Sequence, residues 1–227
     1  MNRKALLLSL VVTLVTVTVL TFGLRQHKNE DTNSPADRLE IYEKYKDLYE
    51  TYQFNPASFD WGYPALDDRI RNMDFCAVVE VAVGMEEGKS FEVSWEELWG
   101  DENLDEMEQW RKDGLSIENI AYKPYTVKVI DYVYNKTMID ASELTVIYGA
   151  LTQAWELKAV TGMKLLMFFL DSQYPDKVYG GTLWTYYITE DGYIIPASIG
   201  GDEENYAGMK LDEFVEIVRE KCHSSIE

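Results

Sequence analysis

The sequence has 227 residues, the length of one ordinary domain with additional segments, and carries 21 Lys and Arg residues against 40 Asp and Glu residues, a formal charge of −19. A chain this acidic repels the phosphate backbone of nucleic acids, so nucleic acid is excluded as a partner. The only two histidines, His27 and His223, lie near the ends of the chain. Their positions exclude most triad, acid–base and zinc chemistry.

The first predicted element is a run of 20 uncharged, mainly apolar residues at positions 5–24, preceded by Arg3 and Lys4. As a helix rising about 1.5 Å per residue, it is long enough to cross a hydrocarbon layer of about 30 Å. We predict an uncleaved signal anchor that holds the chain in the cell membrane as a single-pass protein, with the C-terminal domain extracytoplasmic. The alternative is a signal peptide cleaved after Gly23, which makes the protein secreted.

The charge is divided unevenly along the chain. Four basic residues lie in the first 28 positions and all 40 acidic residues follow them, which leaves 17 basic residues and a formal charge of −23 for the remainder. This composition predicts a solvated acidic domain that is repelled by the membrane surface. We divide the chain into an anchor with its flanks at 1–28, a stalk and amphipathic helix at 29–58, and one extracytoplasmic domain at 59–227.

Beyond the anchor, a helix is predicted to begin at Ser34. The Ser34 side chain is a typical N-cap, Pro35 suits the first helical position, and Asp37 places an acid near the positive end of the helix. Tyrosines at helical spacing continue this pattern to residue 52. We predict that this tyrosine stripe packs on the chain's own domain, with a docking or glycan-stacking face as the alternative. The prolines and glycine of residues 54–64 then predict a loop.

The remaining sequence predicts strands with helices inserted and appended. Apolar, β-branched runs predict strands at 75–85, 125–134, 143–148 and 162–171, and a hairpin at 182–198 turning at Asp191-Gly192. Short helices are predicted in the acidic stretch 90–114, a polar loop at 200–205 and an amphipathic helix at 209–221. The predicted fold is therefore mainly β within the α+β class: a small OB-like barrel of five or six strands with a juxtamembrane helix, an inserted acidic helical segment and a C-terminal helix, behind a single transmembrane helix.

The strand segments resemble a known group of barrels. They read AVVEVAVG at 77–84, YTVKVI at 125–130, LTVIYG at 144–149 and GMKLLMFFL at 162–170, followed by the tyrosine-rich hairpin. This order resembles the OB-like barrels of secreted or membrane-anchored proteins of Gram-positive bacteria. The chain departs from that pattern by having Asn135-Lys136-Thr137 where a lysine–glycine pair is usual, and Gly162-Met163-Lys164-Leu165 where Gly-Glu-x-Tyr is usual. The resemblance covers residues 75–198, implies a fold and a location, and assigns no functional residue.

Two motif-like stretches do not meet the requirements of their chemistry. Residues 84–90 have three residues between the glycines where a phosphate loop needs four, and Glu86 and Glu87 place negative charge where phosphates would lie. Residues 101–112 begin like a calcium loop but have Glu106 at the glycine position and Lys112 at the glutamate position. We therefore predict no nucleotide, no cofactor and no dedicated metal site, and leave open a weak calcium site among the surface carboxylates.

The chain has two cysteines, Cys76 and Cys222. Outside the cytoplasm a disulfide between them is permitted, and two buried free thiols are the alternative. Although His223 adjoins Cys222, side chains of consecutive helical residues do not face each other, so a cysteine nucleophile with a histidine base is not expected.

Aromatic residues are dense, with 6 tryptophans and 16 tyrosines. Tyrosines that fill a small core and its rim are one interpretation, and an aromatic face that binds a cell-wall sugar or a cell-envelope protein is the other. For such a face, strand alternation favours the ligand-binding residues Tyr125, Trp184, Tyr186 and Tyr187.

The functional hypothesis from sequence is a membrane-anchored, non-catalytic binding or interaction module at the cell envelope. A cell-wall carbohydrate-active enzyme is the first alternative, because two carboxylates suffice for glycoside hydrolysis. An inhibitor-like module is the second and rests on the shape of the barrel alone.

Overall fold

The computed structural model describes residues 34–53, 65–85, 87, 91–93, 109, 112, 120–122, 124–147, 157–172, 177–181 and 185–224. No helix in these ranges is long and apolar enough to span a membrane. The predicted anchor at 5–24 and the predicted loop at 54–64 lie outside the described residues. The described residues from Leu39 onward belong to one compact unit.

The described residues form three α-helices, two 3₁₀ helices and eleven strands. The helices are α1 (Pro35–Tyr45), α2 (Leu66–Asn72) and α3 (Leu211–Ser224), and the 3₁₀ helices are Lys46–Leu48 and Asp202–Tyr206. The strands are β1 (Tyr52–Gln53), β2 (Phe75–Val83), β3 (Phe91–Val93), β4 (Ile120–Tyr122), β5 (Tyr125–Asn135), β6 (Glu143–Ile147), β7 (Lys164–Asp171), β8 (Lys177–Tyr179), β9 (Thr185–Ile188), β10 (Ile194–Pro196) and β11 (Ser198–Ile199).

Helix α1 begins as the sequence predicts and ends earlier. The backbone N–H of Asp37 donates to Ser34 Oγ at 3.2 Å, which is the expected N-cap. After Tyr45 the chain makes one 3₁₀ turn and then becomes extended at Tyr49. This segment then forms strand β1, where Tyr52 pairs in parallel with Ser198 of β11. This pairing replaces the last turns of the predicted helix.

Five strands close into a small barrel. The main sheet has the order β10-β9-β7-β2-β5-β6-β8, and a further pairing of β7 with β8 closes β7-β2-β5-β6-β8 on itself. The β6–β8 pairing is parallel, and the other barrel pairings are antiparallel. Gly180 follows β8 at the closure, where an added Cβ would lie 2.8 Å from Val146 Cγ1. The mixed α+β class and the small β-barrel are therefore confirmed.

Strand β2 is buried on both faces, which explains its nearly continuous apolar sequence. Phe75, Ala77 and Val79 belong to the barrel core, a cluster that also contains residues of β5, β6, β7 and β8. Cys76 and Val78 belong to a second cluster, the helix-side core, which lies between the sheet and helices α2 and α3. Both clusters include residues of β9 and β10, which extend the sheet beyond the barrel.

Helix α2 is held at both ends by residues that are distant in sequence. Asp202 Oδ2 accepts a hydrogen bond from the Leu66 N–H at 2.7 Å, at the first turn of the helix. Lys136 Nζ donates to the carbonyl oxygens of Ile70, Arg71 and Met73 at the other end. The first N–H groups and the last carbonyl oxygens of a helix have no hydrogen-bond partner within the helix itself, so both contacts stabilise the ends of α2.

The structure corrects two predicted elements and adds others. Residues 91–93, predicted within a helical segment, form strand β3 and pair with β4; most of the acidic stretch 90–114 lies outside the described residues. The polar loop predicted at 200–205 overlaps the 3₁₀ helix Asp202–Tyr206, in which Glu203 is buried. Helix α2 has only seven residues and four of them are charged, so it lacked the apolar periodicity that predicts a helix.

Candidate ligand groove

Three of the four predicted ligand-binding residues lie in the protein interior. Tyr125, Tyr186 and Tyr187 are 1%, 0% and 2% exposed, and Trp184 lies outside the described residues. Tyr125 and Tyr187 belong to the barrel core, whereas Tyr186 belongs to the helix-side core. The three described residues therefore do not share one exposed face. Tyr186 and Tyr187 are on β9, which is covered on both sides, and Tyr125 is on β5 in the barrel core. A role in ligand binding stays a prediction for this set.

Tyr187 supports a neighbouring aromatic side chain that is less buried. Its ring stacks on that of Tyr49, with centroids 4.8 Å apart and an interplanar angle of 25°. Its hydroxyl donates to the backbone oxygen of Glu50 at 2.7 Å. Burial raises the pKa of the Tyr187 phenol well above its usual value, so the hydroxyl stays protonated and donates. Tyr187 thus fixes the position of Tyr49.

Tyr186 lies in a buried polar cluster on the other side of the sheet. Its hydroxyl accepts a hydrogen bond from Arg69 Nη1 at 3.3 Å, and its ring packs against Phe214. The Arg69 guanidinium also contacts the Glu203 carboxylate, and both side chains are 1% exposed. Burial raises the pKa of Glu203 to about 8, so this carboxyl group holds a proton more readily than an exposed one. This cluster joins α2, β9 and the 3₁₀ helix Asp202–Tyr206.

A groove opens where β7 begins, β9 ends and α3 begins. Its volume is about 630 Å³, within the range of about 300–1,000 Å³ typical of small-molecule sites. The floor and walls are mainly apolar and are formed by Tyr49, Val78, Ile130, Met163, Ile188 and Leu211. Because β7 and β9 are antiparallel, the start of one lies beside the end of the other, which brings the turns at 161–163 and 189–192 together.

The turn of the β9–β10 hairpin forms one rim of the groove and is firmly positioned. Gly192 has φ of +77°, as the Asp191-Gly192 dipeptide predicts. The Tyr193 N–H donates to Thr189 Oγ1 at 3.0 Å, which closes the turn. Tyr45 donates its hydroxyl hydrogen to Asp191 Oδ2. These contacts link the turn to α1 and to its own strands.

The rim is electrically balanced, unlike the chain as a whole. Lys164 and Glu190 line the groove and are both exposed. Lys210 Nζ donates to the backbone oxygen of Asp191 at 2.9 Å and lies 3.8 Å from the centroid of the Tyr193 ring. The Tyr49 phenol has a raised pKa, chiefly through burial and secondly through Glu190, and is therefore neutral. One lysine and one acid, Lys164 and Glu190, therefore line the groove together with an uncharged tyrosine.

The structure also describes both cysteines and a small part of the calcium-like stretch. Cys76 and Cys222 are free thiols, and both are buried. Among the described residues, no group of three or more His, Cys, Asp or Glu side chains is arranged to hold a metal ion. The calcium-like stretch 101–112 lies outside them except for Gln109 and Lys112.

The sequence signal for a binding face was the high aromatic content. In the structure, the aromatic side chain of Tyr49 lines the groove. Tyr49 belongs to the tyrosine stripe for which packing on the domain was predicted and a glycan-stacking face was the alternative. No protein-family model and no curated protein sequence matches this chain.

Proposed function

We propose that the chain is a membrane-anchored, extracytoplasmic binding module and that the groove is its ligand site. The observation that carries this proposal is the groove itself: a hollow of about 630 Å³ lined by six apolar side chains, Tyr49 among them, with Thr161, Lys164, Thr189 and Glu190 as its polar side chains. The location rests on the apolar run at 5–24 followed by a segment with a formal charge of −23.

We further propose that the barrel is OB-like. Taken in chain order, its strands β2, β5, β6, β7 and β8 are arranged as one, two, three, five, four, and strand one also pairs with strand four. A small closed barrel with a strand crossover of this kind supports the OB comparison, and OB barrels commonly bind oligomeric ligands through one sheet face and adjoining loops.

The ligand class that the groove fits best is a neutral or zwitterionic glycan of the cell envelope. Sugar rings are flat enough on one side to lie against an aromatic ring, and Tyr49 offers such a ring in a fixed orientation. The balanced charges of Lys164 and Glu190 suit a ligand without net charge. A strongly anionic polymer would meet the repulsion of the acidic domain.

Binding is favoured over hydrolysis of such a glycan. Glycoside hydrolysis in its usual form needs two carboxyl groups that flank the scissile bond. Among the described residues that line the groove, Glu190 is the only acid. A groove with an aromatic wall and a single carboxylate therefore supports a binding role.

Replacing Tyr49 with alanine is expected to weaken glycan binding by about 10- to 30-fold, the usual effect of removing an aromatic anchor from the centre of a site. The measurement is isothermal titration or NMR titration of the purified domain with soluble fragments of digested peptidoglycan. Tyr49→Phe keeps the ring stacked on Tyr187 and is expected to bind nearly as well as the wild type. Tyr179→Ala, on β8 and outside the groove, is the matched control. Equal loss in Tyr179→Ala, or no loss in Tyr49→Ala, would refute the groove.

The proposed location has its own test. We expect the full chain to sediment with the membrane fraction, with the acidic domain digested by protease added outside the cells. The intact mass of the purified protein then decides between anchor and signal peptide, because cleavage after Gly23 would remove the whole apolar run. A domain that is protected from external protease until the cells are lysed would contradict the proposed orientation.

A further inference from the structure

The two cysteines of the chain converge on one place in the fold. They are 146 positions apart in sequence, yet both belong to the helix-side core, where Cys76 is 0% exposed and Cys222 is 6% exposed. One lies near the start of β2 and the other in the last turn of α3. The chain has no other cysteine, so these two thiols can react only with each other or with another molecule.

The sheet directs Cys76 toward the helix layer. On β2, Cys76 is paired with Tyr134 of β5 on one side and with Phe168 of β7 on the other. All three side chains are in the helix-side core, opposite the face that fills the barrel. Cys76 therefore lies in the middle of the surface on which the helices pack.

Helix α3 presents Cys222 to the same layer. The buried residues of α3 are Phe214, Val215, Val218 and Cys222, so Cys222 extends one apolar stripe of the helix. Two ion pairs fix this end of α3: Arg219 with Asp131 at 3.2 Å and Lys221 with Asp67 at 2.6 Å. They tie it to β5, the strand that pairs with Cys76, and to α2, which packs in the same helix-side core.

The two thiols are close enough to affect each other electrostatically. Burial raises the pKa of the Cys76 thiol well above 9.0, and the neighbouring Cys222 adds to this shift. Burial also raises the pKa of the Tyr134 phenol, with smaller contributions from Cys76 and Cys222. Cys76, Cys222 and Tyr134 thus form one cluster within the apolar layer.

We propose that Cys76 and Cys222 form an intramolecular disulfide that fastens α3 to the barrel when the chain folds in an oxidising compartment. The proposal rests on the extracytoplasmic location proposed above and is independent of the groove. The bond would close a loop that contains the whole barrel, and long loops give the largest restriction of the unfolded chain.

The chemistry is a thiol–disulfide exchange with a protein or low-molecular-weight disulfide as the oxidant. The thiolate of one cysteine attacks a sulfur of the oxidant, breaks its S–S bond and releases one thiolate. The second cysteine, as a thiolate, then attacks the mixed disulfide, forms the Cys76–Cys222 bond and releases the other thiolate. The two cysteines lose two protons and two electrons in total, and the oxidant becomes two thiols.

Because both thiols are buried in the folded protein, this reaction is expected before or during the docking of α3. In the folded protein the Cys76 thiol has a raised pKa and is 0% exposed, so little thiolate is available to an oxidant. In the unfolded chain both thiols are accessible. Oxidation is therefore expected to be fast during refolding and slow once the reduced protein has folded.

The test uses the purified chain, refolded from denaturant with a mixture of oxidised and reduced glutathione. We expect a product lighter than the reduced chain by the mass of two hydrogen atoms, with no thiol that reacts with iodoacetamide in denaturant and with a peptide map that joins Cys76 to Cys222. The oxidised form is expected to melt about 5–15 °C above the reduced form. Cys222→Ala and Cys76→Ala are expected to show no such oxidant-dependent difference in Tm, whatever their own stability.

Two alkylatable thiols after oxidative refolding would overturn the proposal, as would a disulfide-linked dimer. An oxidised monomer that melts at or below the Tm of the reduced form would overturn the fastening role. The reduced wild-type protein can be titrated with peptidoglycan fragments in parallel, so failure of the disulfide and failure of the groove give separate results.

Discussion

Replacement of Arg69 by alanine is expected to lower the free energy of unfolding by about 3–5 kcal/mol, the usual cost of breaking a buried ion pair by removing one partner. The Arg69 and Glu203 side chains are each 1% exposed and in direct contact. The variant therefore leaves a buried carboxyl group without its counter-charge and also removes a hydrogen bond to Tyr186. Urea denaturation at neutral pH measures the loss as a shift in midpoint at unchanged slope.

Two further variants separate the charge pair from the loss of packing. Arg69→Met with Glu203→Leu replaces both charged side chains by apolar ones, and is expected to recover most of the stability, because the acid that remains beside position 69, Asp202, is 28% exposed. Glu203→Leu alone leaves the guanidinium buried and is expected to be as damaging as Arg69→Ala. A double variant as unstable as the sum of the two single variants would show that the ion pair is not the cause.

The contact between Arg69 and Glu203 also predicts how the free energy of unfolding depends on pH. Burial raises the pKa of Glu203 above its usual 4.5 in the folded state, and in Arg69→Met no guanidinium favours the charged form. An acid with a raised folded-state pKa contributes stability below its unfolded pKa and loses that contribution as the pH rises through the folded pKa. The wild-type pKa of Glu203 is already raised to about 8, and loss of the guanidinium raises it further, so Arg69→Met should lie below wild type by a constant amount up to about pH 8 and by an increasing amount above it. A stability difference that does not grow above pH 8 would contradict the explanation.

Phe169→Ala is the second substitution with a large expected effect, about 3–5 kcal/mol lost from the free energy of unfolding. Phe169 is 0% exposed on β7, the strand that meets both β2 and β8 at the closure of the barrel. Its ring stacks on Phe75 with centroids 4.8 Å apart. Removal of the ring leaves a cavity in the barrel core. The surrounding strands cannot move inward to fill it, because they are paired with one another in a closed barrel.

The size of the cavity is tested by a graded series. Phe169→Leu keeps most of the buried volume and is expected to cost less than Phe169→Ala, whereas Met138→Ala, at a side chain that is 87% exposed, is expected to change stability by no more than about 0.5 kcal/mol. Thermal and urea denaturation of the three variants give the comparison. Equal effects of Phe169→Ala and Met138→Ala would mean that the barrel core is not close-packed.

The long strands were predictable because their sequences carry a strong local signal. Strand β2 is a continuous apolar run, β5 alternates, and the hairpin turn is marked by Asp191-Gly192. The closure of the barrel was not predictable in the same way. Strand β8 has three residues, and its pairing with β6 and β7 depends on how the chain crosses the barrel, which leaves no periodic pattern in so short a segment.

The candidate groove could not be predicted from the sequence, for a different reason. Alternation along β9 predicts that one set of its tyrosines is exposed, but the strand lies between two apolar layers and all four of its residues are buried. The groove exists because α3 begins at Leu211 and leaves neighbouring parts of the sheet uncovered, with Ile130 53% exposed. Which residues remain uncovered depends on how the helix docks, and sequence periodicity does not contain that information.

The parallel pairing of β1 with β11 has a consequence for how the protein is made. Tyr52 and Ser198 are neighbours in space, so the first strand of the fold finds its partner only after the barrel strands have been synthesised. Contacts of such long sequence separation form late and slow the folding of a chain. The β1–β11 pairing is thus expected to be among the last contacts to form, after the barrel strands have paired with one another, so a chain that ends before β11 should hold the barrel strands but leave β1 without its partner.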